Sequence, residues 1–252
     1  MDTTTPVAKP AAKPKFNSRL PFSANLPYQG LFAERLPLIH AFSLALQHAA
    51  LTRREMSLYQ KVRAWLGRDD FAFHAAECGV YMGNSLLACA QMVRASGLKG
   101  QFHALDTFNG LPDLSETDLR LAPENAQYRD KKLFADTSFE AVKARVVAAG
   151  MSDSVLFHKG LFVDTLPHLP EVKYHFVNID CDLFDPHIEC LDYFYPRMVR
   201  GGVIFFDDYD SREFPMARAA VDQFMRDKPE LLFHLRTGDV GPNRTKTYIV
   251  KY

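Results

Sequence analysis

The sequence predicts a doubly wound α/β fold: a mostly parallel seven-stranded sheet with an antiparallel C-terminal hairpin and a helical N-terminal cap. Three observations predict it. From residue 71 onward strand-like and helix-like runs alternate, the pattern of right-handed parallel crossovers. The strand runs are almost continuously apolar, as strands covered on both faces must be. The last two strands are joined by a Gly-, Pro- and Asn-containing connection, 238–243, with no helix between them, which specifies antiparallel pairing at a sheet edge.

Taken in order, residues 1–20 (MDTTTPVAKPAAKPKFNSRL) are rich in proline, alanine and lysine and cannot bury a core, so they read as a tail. Residues 21–70 read as a helical cap or oligomerisation segment, which implies a homo-oligomer. There Leu36, Ile39, Ser43 and Leu46 share one helical face, and Met56, Val62 and Trp65 share another after a break. Thr52-Arg53-Arg54-Glu55 has capping-box form and is expected to start the second helix.

The strands are expected at 71–76, 101–106, 155–158, 174–180, 203–207, 231–236 and 247–251. Between them lie a helix with Leu86, Leu87, Ala90 and Val93 inward, and a helix capped at Thr137-Ser138 that carries Phe139, Val142 and Val146. A third helix holds Ala217, Val221 and Phe224. Residues 71–252 thus form the ligand-binding domain.

Composition narrows the function. Thirty basic and thirty acidic residues cancel, so no net field favours nucleic acid or an anionic membrane surface. No run approaches the roughly 20 apolar residues of a membrane span, and no signal-peptide core is present. The four cysteines, Cys78, Cys89, Cys181 and Cys190, lack metal-ligand spacing and read as buried thiols of a cytoplasmic protein.

The first strand of the domain runs into Glu77-Cys78-Gly79-Val80-Tyr81-Met82-Gly83-Asn84-Ser85. Gly79 and Gly83 allow a tight turn and close backbone approach before a helix opens. The spacing is not the dinucleotide fingerprint, and Glu77 would oppose a pyrophosphate and favour a ligand with an ammonium group. The second strand ends at Asp106, placed to accept from ribose hydroxyls of a nucleoside. Two further strands end in Asn178-Ile179-Asp180-Cys181-Asp182 and Phe206-Asp207-Asp208-Tyr209. Four carboxylates at neighbouring strand tips repel unless a cation joins them, and hard oxygen donors select Mg²⁺, Mn²⁺ or Ca²⁺. Asp185 before Pro186 reads as a helix N-cap, and Phe108, Phe162 and Tyr209 each read equally as pocket wall or as core. No paired histidine spacing for a catalytic zinc and no G-x-S-x-G elbow occurs.

These runs, with Leu105-Asp106-Thr107-Phe108-Asn109-Gly110-Leu111-Pro112 and Gly160-Leu161-Phe162-Val163-Asp164-Thr165-Leu166-Pro167, resemble the macrocin, mycinamicin and novobiocin sugar O-methyltransferases over roughly residues 71–227. The resemblance implies a class I, Rossmann-like methyltransferase that uses S-adenosylmethionine and Mg²⁺ to methylate a hydroxyl of a small molecule, a sugar or other natural-product moiety. Carried over by position, it implies that Asp180, Asp207 and Asp208 hold the metal and that Asp182 is the general base. It further implies that Glu77, Gly79, Ser85 and Asp106 contact the donor, with Gly160, Leu161 and Phe162 near the adenine. Gly83 and Asp180 complete the expected donor contacts. His187 is the other candidate base, and the division of roles between Asp180 and Asp182 stays open. The rival readings are a nucleotide-sugar glycosyltransferase using D-x-D, which requires basic residues at the glycine turn, and a non-catalytic S-adenosylmethionine-binding scaffold.

Overall fold

The computed structural model describes residues 29–54, 62, 71–129, 132–236 and 245–252. The tail at 1–20, the 238–243 connection, Met56 and Trp65 lie outside the described residues, and Val62 is helical and exposed. Helix α1 (Gln29–Arg54) precedes a seven-stranded sheet of order β3-β2-β1-β4-β5-β7-β6. Its strands are β1 (Phe73–Cys78), β2 (Gly100–Asp106), β3 (Val155–Lys159), β4 (Tyr174–Ile179), β5 (Met198–Phe206), β6 (Phe233–Arg236) and β7 (Thr245–Val250). The first five pair in parallel, and β7 runs antiparallel to both β5 and β6. The helices between them are α2 (Asn84–Ser96), α3 (Glu116–Leu121), α4 (Phe139–Ala148), the short α5 (Phe162–Thr165), α6 (Phe184–Phe194) and α7 (Pro215–Met225).

Successive strand residues feed opposite cores, which is why the strands read as unbroken apolar runs. Phe73, Phe176 and Phe205 pack with α1, α2 and α4 on one face. Val177, Ile179, Ile204 and Phe206 pack with α6 and α7 on the other. Ser138 caps α4 by accepting from the Ala141 N–H, as its sequence indicated.

Three expectations at the N-terminus are revised. Thr52 does not start a new helix: it lies within α1, which runs to Arg54, and its hydroxyl donates to the His48 carbonyl at 3.0 Å, while residues 55–61 lie outside the described residues. The sequence left α1 without a strand partner, whereas the structure lays it on the sheet. Phe42 is fully buried, its ring centroid 4.9 Å from that of Phe176 and 5.6 Å from that of Phe73. Leu36, placed on the inner face by spacing, is exposed.

Buried histidines give the fold a pH signature. His103 stacks on His158 with ring nitrogens 3.1 Å apart, and burial, then His158 and His74, lower its pKa to about 3. Burial, then His74 and His48, lower that of His175 to about 4. Folding keeps these rings neutral while the unfolded chain protonates near pH 6.5, so their contribution is complete above about pH 6.5 and is lost as pH falls toward the folded values. The melting midpoint is expected to fall between about pH 7 and about pH 5, less steeply in His103→Gln. Reading the variant against wild type separates the histidines from Asp182 and Asp208, whose raised values act in the opposite sense. Equal slopes would remove this role from His103.

Candidate active site

Strand order reverses between β1 and β4, and a crevice opens beyond the carboxyl ends of the strands. The ladder continues past the strands into the tips: the Asp180 N–H donates to the Cys78 carbonyl at 2.8 Å and the Asp207 N–H to the Ile179 carbonyl at 3.1 Å. The acid-bearing tips are therefore held by sheet hydrogen bonds. Oxygens of Asp180, Asp207 and Asp208 all lie within 4.8 Å of one another. Asp208 is buried, and its Oδ2 has no hydrogen-bond partner. A buried carboxylate oxygen without a donor, beside two further acids, fits a hard divalent cation.

Asp182 adopts φ 62, and the Leu183 N–H donates across it to the Cys181 carbonyl at 2.6 Å. Strained positive-φ turns of this kind cluster at functional sites. Burial first, then Asp180 and Asp207, push the Asp182 carboxyl well above the usual carboxylate range. Burial, then Asp182 and Asp207, do the same to Asp208.

At the β1 tip, Gly79 has φ 91, and a Cβ there would lie 1.7 Å from the Asp180 carbonyl oxygen. Only glycine permits β1 and β4 to approach so closely at the switch point. Gly83 precedes α2 and packs against Val142 of α4. Asp106 accepts from the Val80 and Tyr81 N–H groups at 2.6 and 3.0 Å and from the Phe108 N–H at 2.6 Å. It thereby fixes the glycine turn from the neighbouring strand.

Above these tips lies a cavity of about 440 Å³, within the range of small-molecule sites. Of the expected residues, Gly79, Ser85, Asp106, Gly160, Phe162, Asp180, Asp182, Asp207 and Asp208 line it. Nine carboxylates line the cavity and no lysine or arginine does among the described residues. Such a wall suits a cationic ligand and opposes the diphosphate that a nucleotide-sugar glycosyltransferase must hold.

Other expected residues fall elsewhere. Glu77 is buried beside its register neighbour Asn178, whose side-chain N–H donates to it at 3.0 Å, and it does not line the cavity. Gly83 shapes the turn from behind the wall. His187 is fully buried, with Nδ1 2.8 Å from the Leu183 carbonyl and 3.3 Å from Cys181 Sγ. Burial lowers its pKa to about 4, and it does not reach the cavity, so its reading as a base is corrected. Phe108 and Tyr209 are core residues, whereas Phe162 is part of the wall. Asp185 is not an N-cap, because α6 already begins at Phe184. The Phe184 N–H is met instead by buried Asp118, at 2.8 Å.

Asp118 belongs to a roof that composition did not reveal. It forms a capping box with Ser115 at the start of α3, and the adjoining Tyr128 stacks on Phe214 at 4.8 Å. Leu111, Phe134 and Phe214 carry this roof to the cavity wall. Sequence reasoning also missed Lys246 of β7, which donates to the Asp207 carboxylate at 2.5 Å and to the Asp207 carbonyl at 2.6 Å. Burial works against its charge, but Asp207 and Asp208 prevail and its pKa is raised. Only the β5–β7 register reveals it: Thr247 lies opposite Phe206, which brings Lys246 opposite Asp207.

The family model described as macrocin O-methyltransferase (TylF) matches residues 29–235, most of the chain. The chain belongs to the macrocin O-methyltransferase family. Among curated members of similar sequence, a tetracenomycin 4'-O-methyltransferase from Streptomyces olivaceus, named for its 8-demethyl-8-(2,3-dimethoxy-α-L-rhamnosyl) substrate, is 29% identical over 140 residues, 53% of this chain and 51% of that protein. The mycinamicin III 3''-O-methyltransferase of Micromonospora griseorubida is 27% identical over 160 residues, 62% of each chain. The chain thus spans between about half and about three-fifths of the length of these relatives. Of solved structures, the O-methyltransferase NovP is 25% identical with a TM-score of 0.59, covering 71% of this chain and 72% of its own. The calicheamicin methyltransferase CalS11 shares the fold at 21% identity and a TM-score of 0.61, over 93% of this chain and 87% of its own. Among the described residues no helix is long and apolar enough to cross a membrane.

Proposed function

We propose that this protein is an S-adenosylmethionine-dependent O-methyltransferase that methylates a hydroxyl of a small natural-product acceptor, a sugar hydroxyl foremost, with a divalent metal at the acid cluster. Residues 71–252 form its catalytic domain. The observation that carries the reading is the acid-walled cavity at the switch point, whose three metal-competent carboxylates converge within 4.8 Å while no basic side chain lines it among the described residues. A sulfonium donor is cationic, which suits that wall, and the relatives are named O-methyltransferases.

When bound, S-adenosylmethionine supplies an activated methyl group and Mg²⁺ lowers the pKa of an acceptor hydroxyl. Asp180, Asp207 and Asp208 hold the metal, and their oxygen-only donor set suits it. Asp106 stands at the β2 tip with one acceptor site of Oδ1 left for a ribose hydroxyl, while Gly79 and Ser85 shape the wall at the donor's amino-acid end. Gly160 and Phe162 form the wall at the adenine end. Asp182 takes the acceptor proton, because its carboxyl lines the cavity beside Asp180 and Asp207. The roof at Leu111, Phe134 and Phe214 excludes water and aligns the oxygen behind the methyl, which is worth on the order of 7–11 kcal/mol when geometry is ideal.

Calorimetric titration with S-adenosylmethionine, a nucleotide sugar and NAD, each with and without Mg²⁺, tests this reading. Saturable heat is expected for S-adenosylmethionine and none for NAD. Saturable binding of the nucleotide sugar with no saturable heat from S-adenosylmethionine would overturn it.

A further inference from the structure

The ammonium of Lys246 reaches Asp207 from a side the cavity does not use. Lys246 is the second residue of β7, one residue beyond the last β5–β7 pair, so the antiparallel ladder itself delivers it to the β5 tip. Its side chain is 13% exposed and that of Asp207 26%, and Lys246 is absent from the cavity wall. Nζ bridges two atoms of one residue, the Asp207 carboxylate oxygen Oδ2 at 2.5 Å and its main-chain carbonyl at 2.6 Å. A bridge between carbonyl and carboxylate fixes the Asp207 side chain relative to its own backbone. One of the two carboxylate oxygens is thereby engaged, and an oxygen of this same carboxylate lies within 4.8 Å of oxygens of Asp180 and Asp208.

From this geometry we propose that Lys246 is a resident counter-ion of the acid cluster, a positioning residue that aims Asp207 and holds divalent-cation affinity down so that the metal exchanges. The proposal rests on the metal reading given above. Two opposed effects follow from removing the ammonium. Asp207 gains rotameric freedom, which weakens binding, and a positive charge a few ångströms from a doubly charged ion disappears, which strengthens it. The second is the larger, because repulsion between partly buried charges at that range exceeds the entropy of freeing one short side chain.

Titration of MnCl₂ alone, without donor or acceptor, into the full-length protein tests the proposal. Lys246→Met and Lys246→Gln are expected to bind Mn²⁺ about tenfold tighter than wild type, or more. The glutamine variant keeps hydrogen-bond donors for Asp207 and so separates charge from aim, and it stands in where the methionine variant melts early. Lys246→Arg, which retains the charge, is expected to keep wild-type affinity within about threefold. Unchanged or weaker Mn²⁺ binding in the neutral variants, with wild type still binding, overturns the counter-ion role and leaves the metal reading standing. Absence of Mn²⁺ binding in wild type and in all variants overturns both.

Discussion

Asp182→Asn is expected to lower kcat for methyl transfer by about 10²–10⁴-fold, the ordinary contribution of a positioned base, while S-adenosylmethionine binds within a few-fold of wild type. Asparagine has the same shape and tolerates the φ of 62 found at this position, so the turn that carries it should persist. What is lost is the ability to take a proton. The burial that raises the Asp182 pKa also places the carboxyl in the wall beside Asp180 and Asp207, where an acceptor oxygen held by the cluster would present its proton. Single-turnover rates and donor calorimetry on the same preparation separate the two effects. His187→Gln is the discriminating companion. Because His187 lies behind Cys181 and outside the wall, that variant is expected to keep kcat within a few-fold once folding is verified. A 10²-fold loss in His187→Gln with Asp182→Asn nearly unaffected would reverse the assignment.

The contrast between these two residues shows what sequence could carry. Strand tips are local features: an apolar run ending in acids places those acids at the sheet edge, and Asp180, Asp182, Asp207 and Asp208 were legible for that reason. Helix phase is legible in the sequence too, and at α6 it speaks against His187 as a base. His187, Cys190, Leu191 and Phe194 fall at i, i+3, i+4 and i+7, the buried stripe of α6, and all four are buried. Register between distant strands is different, because it depends on pairings that no short window contains. Glu77 meets Asn178 only through the β1–β4 ladder, and Lys246 meets Asp207 only through the hairpin's alignment on β5. The roof posed the same difficulty, since Asp118 closes the start of α6 across 66 residues of chain. At α1, the helix stripe was visible but its partner was not, because a helix records only that it has an apolar face and not which sheet covers it.

Gly79→Ala is expected to be the most damaging single-methyl change in the site, costing about 2–5 kcal/mol of stability and abolishing donor binding. Two terms contribute. The residue has φ 91, where an L side chain is strained by about 1–2 kcal/mol. The added Cβ would also lie 1.7 Å from the Asp180 carbonyl oxygen and 2.7 Å from its carbon, which are main-chain atoms that cannot swing aside. Relief requires the β1 and β4 tips to separate, which takes Asp180 away from Asp207 and breaks the acid cluster. Gly97→Ala isolates the first term, because Gly97 has φ 74 but a Cβ there meets nothing within 4 Å. Chemical denaturation of both variants should show a loss of about 1–2 kcal/mol at Gly97 and a distinctly larger one at Gly79. Mn²⁺ and S-adenosylmethionine binding should survive in the first and fail in the second. Equal losses, with donor binding intact in both, would mean that contact between the β1 and β4 tips does not hold the site together.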